Sequence, residues 1–578
     1  MGKNIMSVEI IAEIANAHQG NFKDALKLGI AAHNSNADAV KYQIYFAEEF
    51  LEKKHPRYEH FKKQSFSEKQ WKYIISNLKK KNNIKIYADV LGTKAFKLSE
   101  KLKFDGIKIH SSDLANIKLI KLLKNYKKKI FISCGGSTLF ELSNTLDKLN
   151  SNNITLLHGF QSYPTKIEDI NFNRLIQIKN FFKSKYHYGY QDHTSGSNIY
   201  NTFLPLVTIG MGISCLEKHI TFNRSHKGVD YFSSVEPQKF KNFVKVIRKV
   251  ENCFGNKKYE FSDTERVYRN VVKKNWLFKN NLKKGHTLKL SDIEFLRTSD
   301  NDINPINISD YLNKKIIKDV KKNQIVAKEM FKNKIYFVVV ARSKSKRLPN
   351  KAILQIGNSS ILDHLFKRLK FFGIKNILFC TTKNKEDNKL IEISKKNKVN
   401  FFRGSEENVL GRMMKPLYKI KPDVVVRITG DDILFDYSYF KKAINLFLNK
   451  NYDYVDHKKL LSGSETEIID FKVLDFIFRN YQNLKGTEYL TNYITDNKDF
   501  FNIGSAPVKK NHQVKTSMTI DTMNDYLYVK KFLNDYYNKN NNFYNYEMND
   551  LVRYIKKYPK KNNKNNKKNI QIDTDLKS

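Results

Sequence analysis

Apolar positions in the first 250 or so residues recur in two alternating modes. Eight short stretches, VEIIAEIA, ADAVKYQIY, IKIYADV, DGIKIHSSD, KKIFISCGG, NITLLHGFQ, YHYGYQDH and GISCLEKHI, have the length and apolar density of strands. Between most of them lie stretches with apolar residues at i, i+3 and i+4, such as FKDALKLGIAAHNS and TKAFKLSEKLK, the spacing of an amphipathic helix. Eight strand–helix units in succession predict a (β/α)8 barrel over residues 1–260.

Beyond the eighth unit the pattern changes. Residues 266–330 carry short apolar stretches separated by KKG and NPIN turns, which predict a small β-rich domain. At KIYFVVVARSKSKRLPNK a buried-type strand runs into a basic loop and then a helix, and VVVRITGDDILFD is a second apolar strand ending in an acidic pair. A strand, a cationic loop and a helix form an arrangement by which α/β folds hold nucleotide phosphates. The acidic pair suits a Mg²⁺–triphosphate. A third domain of α/β class is therefore expected over 335–560, and the Lys/Asn-rich tail 561–578 is expected to be disordered, being highly charged with little to bury.

The formal charge of +46 points first to nucleic acid, but its distribution points elsewhere. Of 104 Lys and Arg only 15 are Arg, and the lysines are spread along the chain among asparagines and isoleucines. A solvated lysine surface and small anionic substrates account for the charge better than a nucleic-acid footprint. No run of eighteen apolar residues exists, and MGKNIMSVEI passes from a short polar start into a strand, so a cytoplasmic protein without a membrane segment is expected. The start also misses the myristoylation pattern, since Met6 stands where Ser or Thr would be needed. Cys134, Cys215, Cys253 and Cys380 form no C-x-x-C and are read as reduced thiols.

Active sites of (β/α)8 barrels sit at the C-terminal strand ends. The ends here carry Glu13 and Asn16, Lys41 and Gln43, Asp89, Lys108 with Ser111 and Asp113, Gln161 with Tyr163, Asp192 with His193, and Glu217 with His219. Two imidazoles with carboxylates and oxygens nearby suit a divalent transition ion with open positions, Mn²⁺ or similar, while the lysines suit an anion. Convergent titratable groups in one concave site are the signature of chemistry rather than packing.

Taken in order, IIAEIANAHQG, ADAVKYQ, KIHSSD, LLHGFQSYPT, YQDHT and LEKHITF…GVD resemble the sialic acid (N-acetylneuraminate) synthase family across about residues 5–255. The resemblance implies condensation of phosphoenolpyruvate with an open-chain N-acetylated amino sugar to a nine-carbon 2-keto acid, using a divalent metal (Mn²⁺ or Mg²⁺). It implies His193 and His219 as ligands of that one metal, and Lys41, Lys108 and Ser111 on the phosphate and carboxylate of phosphoenolpyruvate. Gln43, Gln161 and Tyr163 would line the substrate region, Asp113 would orient or deprotonate water, and Glu13 and Asp230 would contact the sugar. At the third strand the chain reads IYADVLG where many members read F-x-S-T-P, placing Asp89 in the phosphate neighbourhood.

Residues 266–330 resemble the antifreeze-like (SAF) domain that follows the barrel in that family, which implies a domain-swapped homodimer with Arg297 reaching the partner's active site. The Pro-Gly usual after that arginine is replaced by TSDND. From about 335 to 560, through the basic loop, FRGSEENVLGR, GTEYLTNYI and MTIDTMND, the chain resembles the acylneuraminate cytidylyltransferases of the spore-coat polysaccharide branch, with a Rossmann-like nucleotidyltransferase fold. Arg342, Ser343, Arg347 and Lys351 would cradle CTP, and Asp431 and Asp521 would hold its Mg²⁺. Residue 519 is Thr where sialic acid activators carry a second Asp.

The combined expectation is a bifunctional cytoplasmic enzyme that makes a nonulosonic acid and activates it as a CMP-sugar. Two alternatives stay open from sequence: a keto-acid synthase of other sugar specificity fused to a transferase for another nucleotide or sugar, and a sugar-binding protein without turnover.

Overall fold

The computed structural model describes residues 7–81, 83–149, 151, 153–255, 259–299, 304–345, 347–481 and 490–560. The tail 561–578 and the first half of GTEYLTNYI lie outside them. Two compact units divide the chain, Met1–Lys257 and Lys258–Ser578.

The first unit is a closed barrel of β1 (Glu9–Glu13), β2 (Ala39–Tyr45), β3 (Lys85–Leu91), β4 (Gly106–Ile109), β5 (Lys129–Ser133), β6 (Ile154–His158), β7 (His187–Asp192) and β8 (Cys215–His219). Every neighbouring pair is parallel, and β8 closes on β1 with Glu13 beside His219. Seven strands fall within a stretch expected from the apolar pattern, and β3 runs one residue past its stretch, to Leu91. Because side chains alternate across a strand, every second residue points inward. Those inward residues make two layers. Ile11, Ala39, Tyr87, Phe131, Leu157 and Cys215 form a dry inner plug. Two residues further along their strands come Glu13, Lys41, Asp89, Ser133 and Glu217, so the same periodicity that fills the plug puts a polar layer above it, toward the C-terminal mouth. The outward residues meet the surrounding helices in a single large apolar core that includes Val40, Val90, Ile107, Ile130 and Leu216.

The second unit begins with a helix, Asp263–Val272, where short strands are expected from sequence. Its start is set by a capping box in which Ser262 and Glu265 each satisfy the other's backbone N–H, and this local signal outweighs the β-branched content of RVYRNVV. The small β module follows. It pairs β9 (Asn275–Phe278) with β10 (Ile293–Leu296) antiparallel, and single bridges such as Leu282 to Val320 and Ile316 to Phe331 fold the rest around a core of Phe278, Leu288, Ile293, Ile316, Val326 and Phe331.

The module shares its compact unit with the transferase region and is bonded to it by buried groups. Lys328 donates to Tyr452 O at 2.7 Å and to Asp470 Oδ2 at 2.8 Å, and lies 4.5 Å from the Phe447 ring centre. The transferase sheet contains β11 (Ile335–Val340), β14 (Ile377–Thr382), β15 (Asn400–Gly404), β16 (Val424–Thr429), β17 (Tyr454–Asp456), β18 (Glu467–Asp470) and β19 (Ile503–Ser505). A separate hairpin joins β12 (Gln355–Ile356) to β13 (Ser359–Ser360). The spatial order is β15-β14-β11-β16-β18-β17-β19, with β11 parallel to both β14 and β16 and β18 antiparallel to β16. Helices cover both faces, giving two cores. Among the described residues no helix is long and apolar enough to cross a membrane.

Candidate active sites

In the barrel the polar layer is a buried charge network. Lys41 Nζ lies 2.7 Å from Glu13 Oε2 and is hydrogen-bonded to Glu217 Oε2, while Lys108 Nζ lies 2.9 Å from Glu217 Oε1 and 3.5 Å from Asp89 Oδ2. All five side chains are 3% exposed or less. Burial alone would push both glutamates up, but Lys108 and Lys41 hold Glu217 well below the usual carboxylate range. Glu13 is pushed up to about 7, burial and the nearby Glu217 and Asp89 charges outweighing Lys41 and Lys108. Lys41 is raised above an ordinary lysine by Glu13, Glu217 and Asp89 in spite of burial. Three carboxylates thus share two ammonium groups, and Asp89 Oδ1, the oxygen not turned to the lysines, has no hydrogen-bond partner among the described residues.

Sequence reasoning placed Glu217 at a strand end but assigned it no role. It is the hub of the network, and the available signal was its position two residues before His219, on the same inner face of β8.

Beside this network stand His193 and His219, ring centres 5.1 Å apart, with the Tyr163 ring 4.8 and 5.6 Å from them. His193 Nδ1 meets Phe160 O at 2.7 Å. A nitrogen facing a carbonyl carries the proton, so Nε2 is the ring's lone-pair nitrogen. Burial lowers His193 to about 4, and burial with the adjacent His193 drives His219 well below the histidine range, so both rings are neutral at pH 7. A buried neutral pair with one tautomer fixed from behind fits a divalent ion. Among the described residues no group of three or more His, Cys, Asp or Glu could hold a metal, and His193 and His219 are the residues that would hold one here.

The remaining barrel candidates ring the mouth. Gln43 Oε1 accepts from Asn16 at 3.2 Å. Ser111 opens the turn Ser111–Asp113. Asp113 accepts from Asn116 at 2.6 Å and is raised by burial. Gln161 is hydrogen-bonded to His110. Asp230, with φ +61°, is pushed up to about 6 by burial, with Arg57 opposing. Gly159 (φ +120°) has no room for a side chain, since a Cβ there would meet the Gln191 Cγ at 2.7 Å. Gln191 in turn donates to Ser133 Oγ at 2.8 Å and to Gly159 O at 2.6 Å, drawing the fifth, sixth and seventh strand ends together. Arg297 belongs to the second unit, exposed just past the end of β10.

In the transferase the loops after β11, β14 and β16 leave the same sheet edge, where Val340 is paired with both Cys380 and Thr429. This is the crevice in which open α/β sheets bind ligands. Lys351 Nζ is bonded to Asp431 Oδ2, donates to Ile520 O at 3.0 Å and lies 3.5 Å from Asp521 Oδ1, which Arg347 NH2 also reaches at 2.8 Å. Asp431 and Asp521 therefore share one ammonium. Burial would raise Asp431, but Lys351 holds it below the usual range. Its neighbour Asp432, not singled out from sequence, is pushed up to about 7 by burial and Asp431, and accepts from Thr519 Oγ1 at 2.7 Å. Arg342 NH1 lies 3.5 Å from Glu406. Ser343 is buried, its N–H on Asp387 at 2.7 Å and its hydroxyl on Glu386 O at 3.1 Å, so its bonds shape the loop from within.

A barrel with a buried lysine–carboxylate layer beside a histidine pair, in one chain with an α/β unit whose cationic loop meets two carboxylates, is the architecture of an enzyme with two sites. The chain belongs to the NeuB family over residues 30–259 and to the cytidylyltransferase family over residues 336–557. Among its relatives, protein MJ1065 of Methanocaldococcus jannaschii is 32% identical over 320 residues, covering 55% of this chain and 92% of that one. MJ1063 of the same organism is 36% identical over 200 residues, covering 34% and 82%. The N,N'-diacetyllegionaminic acid synthase of Campylobacter jejuni is 28% identical over 335 residues, covering 55% and 98%. The protein is an enzyme in which a NeuB-type nonulosonic acid synthase is fused to a cytidylyltransferase. Residues 266–330 lie between the two matched ranges.

Proposed function

We propose that the barrel condenses phosphoenolpyruvate with an N-acetylated amino sugar to a nine-carbon 2-keto acid, and that the second unit transfers CMP from CTP to that acid. The observation that carries the reading is the buried Lys41–Glu217–Lys108 bridge directly beside the His193–His219 pair. The legionaminic acid relative supports a diacetylated sugar-acid product.

In this reading Lys41 and Lys108 exchange carboxylate partners for the phosphate and carboxylate of phosphoenolpyruvate, with Ser111 as a hydroxyl donor. Glu13 and Asp230, both raised toward neutrality, share protons with the sugar hydroxyls, and Gln43, Gln161 and Tyr163 close the mouth around it. A divalent ion held by His193 and His219 would supply Lewis acidity at the sugar aldehyde. Asp113 takes a proton from the water that adds to the former enol carbon as phosphate departs. In the second unit Arg342, Arg347 and Lys351 neutralise the triphosphate, freeing Asp431 and Asp521 for its Mg²⁺, and catalysis is positioning and charge stabilisation. Arg297 reaching a partner's barrel in a domain-swapped dimer, and a cytoplasmic location, complete the proposal.

The test is the purified full chain with phosphoenolpyruvate, CTP and a set of acetamido sugars, read by mass spectrometry. His193→Ala and His219→Ala should each abolish condensation and spare CTP-dependent activation of a supplied nonulosonic acid. Undiminished condensation in either variant removes the reading of these residues.

A further inference from the structure

One buried ion pair next to the histidines is unused by this chemistry. Asp192 and Lys218 are register partners on β7 and β8. Their charged atoms are 2.6 Å apart and neither side chain is more than 1% exposed. Both face outward, away from the mouth. Lys218 Nζ donates to Asn201 O at 2.8 Å, on the helix Tyr200–Gly210, and lies 4.7 Å from the ring centre of Phe243, on the helix Pro237–Glu251. The other Asp192 oxygen accepts from the N–H and hydroxyl of Thr194 at 3.0 and 2.7 Å, and Asn201 Nδ2 binds back to Thr194 O at 3.2 Å.

Each member of the pair immediately precedes a histidine whose ring faces the opposite way. The β7–β8 ladder ends at Asp192 and Lys218, so His193 stands just past the last paired residue. Backbone pairing with β8 therefore does not hold it. A buried ion pair adds little stability over apolar residues of the same volume, because desolvation offsets its attraction. What it adds is direction, since its hydrogen bonds tolerate one relative placement of the two strand ends.

We propose that Asp192 and Lys218 are positioning residues: their ion pair, tied to Thr194 and Asn201, clamps the ends of β7 and β8 and sets the separation and tilt of the His193 and His219 rings. This rests on the reading of those histidines as ligands of one ion. Partners behind metal ligands typically change metal affinity 10- to 100-fold when removed.

The test is Mn²⁺ binding to the full chain, followed by electron paramagnetic resonance, in wild type, His219→Ala, Lys218→Arg and the double variant Asp192→Asn/Lys218→Met. The double variant keeps volume without charge. It should melt as wild type does, activate a supplied acid with CTP normally, and bind Mn²⁺ about 10- to 100-fold more weakly. Lys218→Arg, which keeps the pair, should retain affinity. Wild-type affinity in the double variant, with binding lost in His219→Ala, overturns the clamp and leaves the ligands standing. Equal affinity in wild type and His219→Ala overturns both. If the double variant does not fold, Thr194→Val removes the hydroxyl's contacts to Asp192 and Asn201 and leaves the backbone N–H on Asp192. A folded Thr194→Val should bind Mn²⁺ more weakly than wild type, and wild-type affinity there equally refutes the clamp.

Discussion

Glu217→Gln removes the hub of the barrel network without changing its volume. Glu217 is hydrogen-bonded to both Lys41 and Lys108, whose side chains are 3% exposed or less, whereas Asp89 lies 4.0 and 3.5 Å from the same two ammonium groups. Breaking a buried pair from one side costs about 3–5 kcal/mol, because a charge is left uncompensated. Glu13 and Asp89 remain within 4.0 Å of one or both lysines, which places the cost near the lower limit, at about 3 kcal/mol. The amide can accept from one lysine, but its NH2 then faces the other. If the lysines that hold phosphoenolpyruvate are oriented by Glu217, the same free energy appears in the reaction as a fall of roughly 100-fold in kcat/KM for condensation. The assay is denaturant unfolding of the barrel together with condensation kinetics, with CTP-dependent activation as an internal control. A stability change under about 1 kcal/mol with condensation within threefold would refute the network as both a structural and a catalytic element.

Further predictions concern the second unit. Arg342→Ala should cost about 2–4 kcal/mol of transition-state stabilisation, or roughly 30- to 1,000-fold in cytidylyl transfer, with condensation unchanged, while the exposed control Lys375→Ala changes neither; equal harmlessness of the two in transfer assays would remove the nucleotide site from this loop. Lys328→Ala strands Asp470 and Tyr452 O at the junction of module and transferase and should lower stability by about 3 kcal/mol, read by chemical denaturation, where a loss under about 1 kcal/mol would mean the module is held by its apolar contacts instead. His364, fully buried beside Tyr544 and Tyr546, is lowered to about 3 by burial and by Arg368. Its folded value lies below its unfolded value of 6.5, so the unfolded chain takes up the proton first and stability falls as pH drops below 6.5. The loss between pH 6.5 and 5 is about 1.5–2 kcal/mol, and it should be absent from the difference between wild type and His364→Phe if burial is not the cause.

Strand and helix periods are local properties, so all eight barrel strands and the layer of inward polar residues were legible along the chain. Local too was the cationic loop from Arg342 to Lys351 with the acidic pair after β16. The helix Asp263–Val272 departs from the short strands expected over 266–330, because its capping box decides the local structure while the KKG and NPIN turns that suggested strands lie beyond it. Which charges share a partner is not local. Lys41 and Glu217 are separated by 176 positions, and only closure of β8 onto β1, with β1 beside β2, brings them into one network. Pairing of β7 with β8 turned Asp192 and Lys218, two polar residues each written next to a histidine, into an outward-facing pair behind the site. The run of residues along each strand was enough to show that its C-terminal end would be polar. Which of those polar groups neutralise one another depends on the packed barrel, because burial makes pairing compulsory and only the folded chain settles the distances.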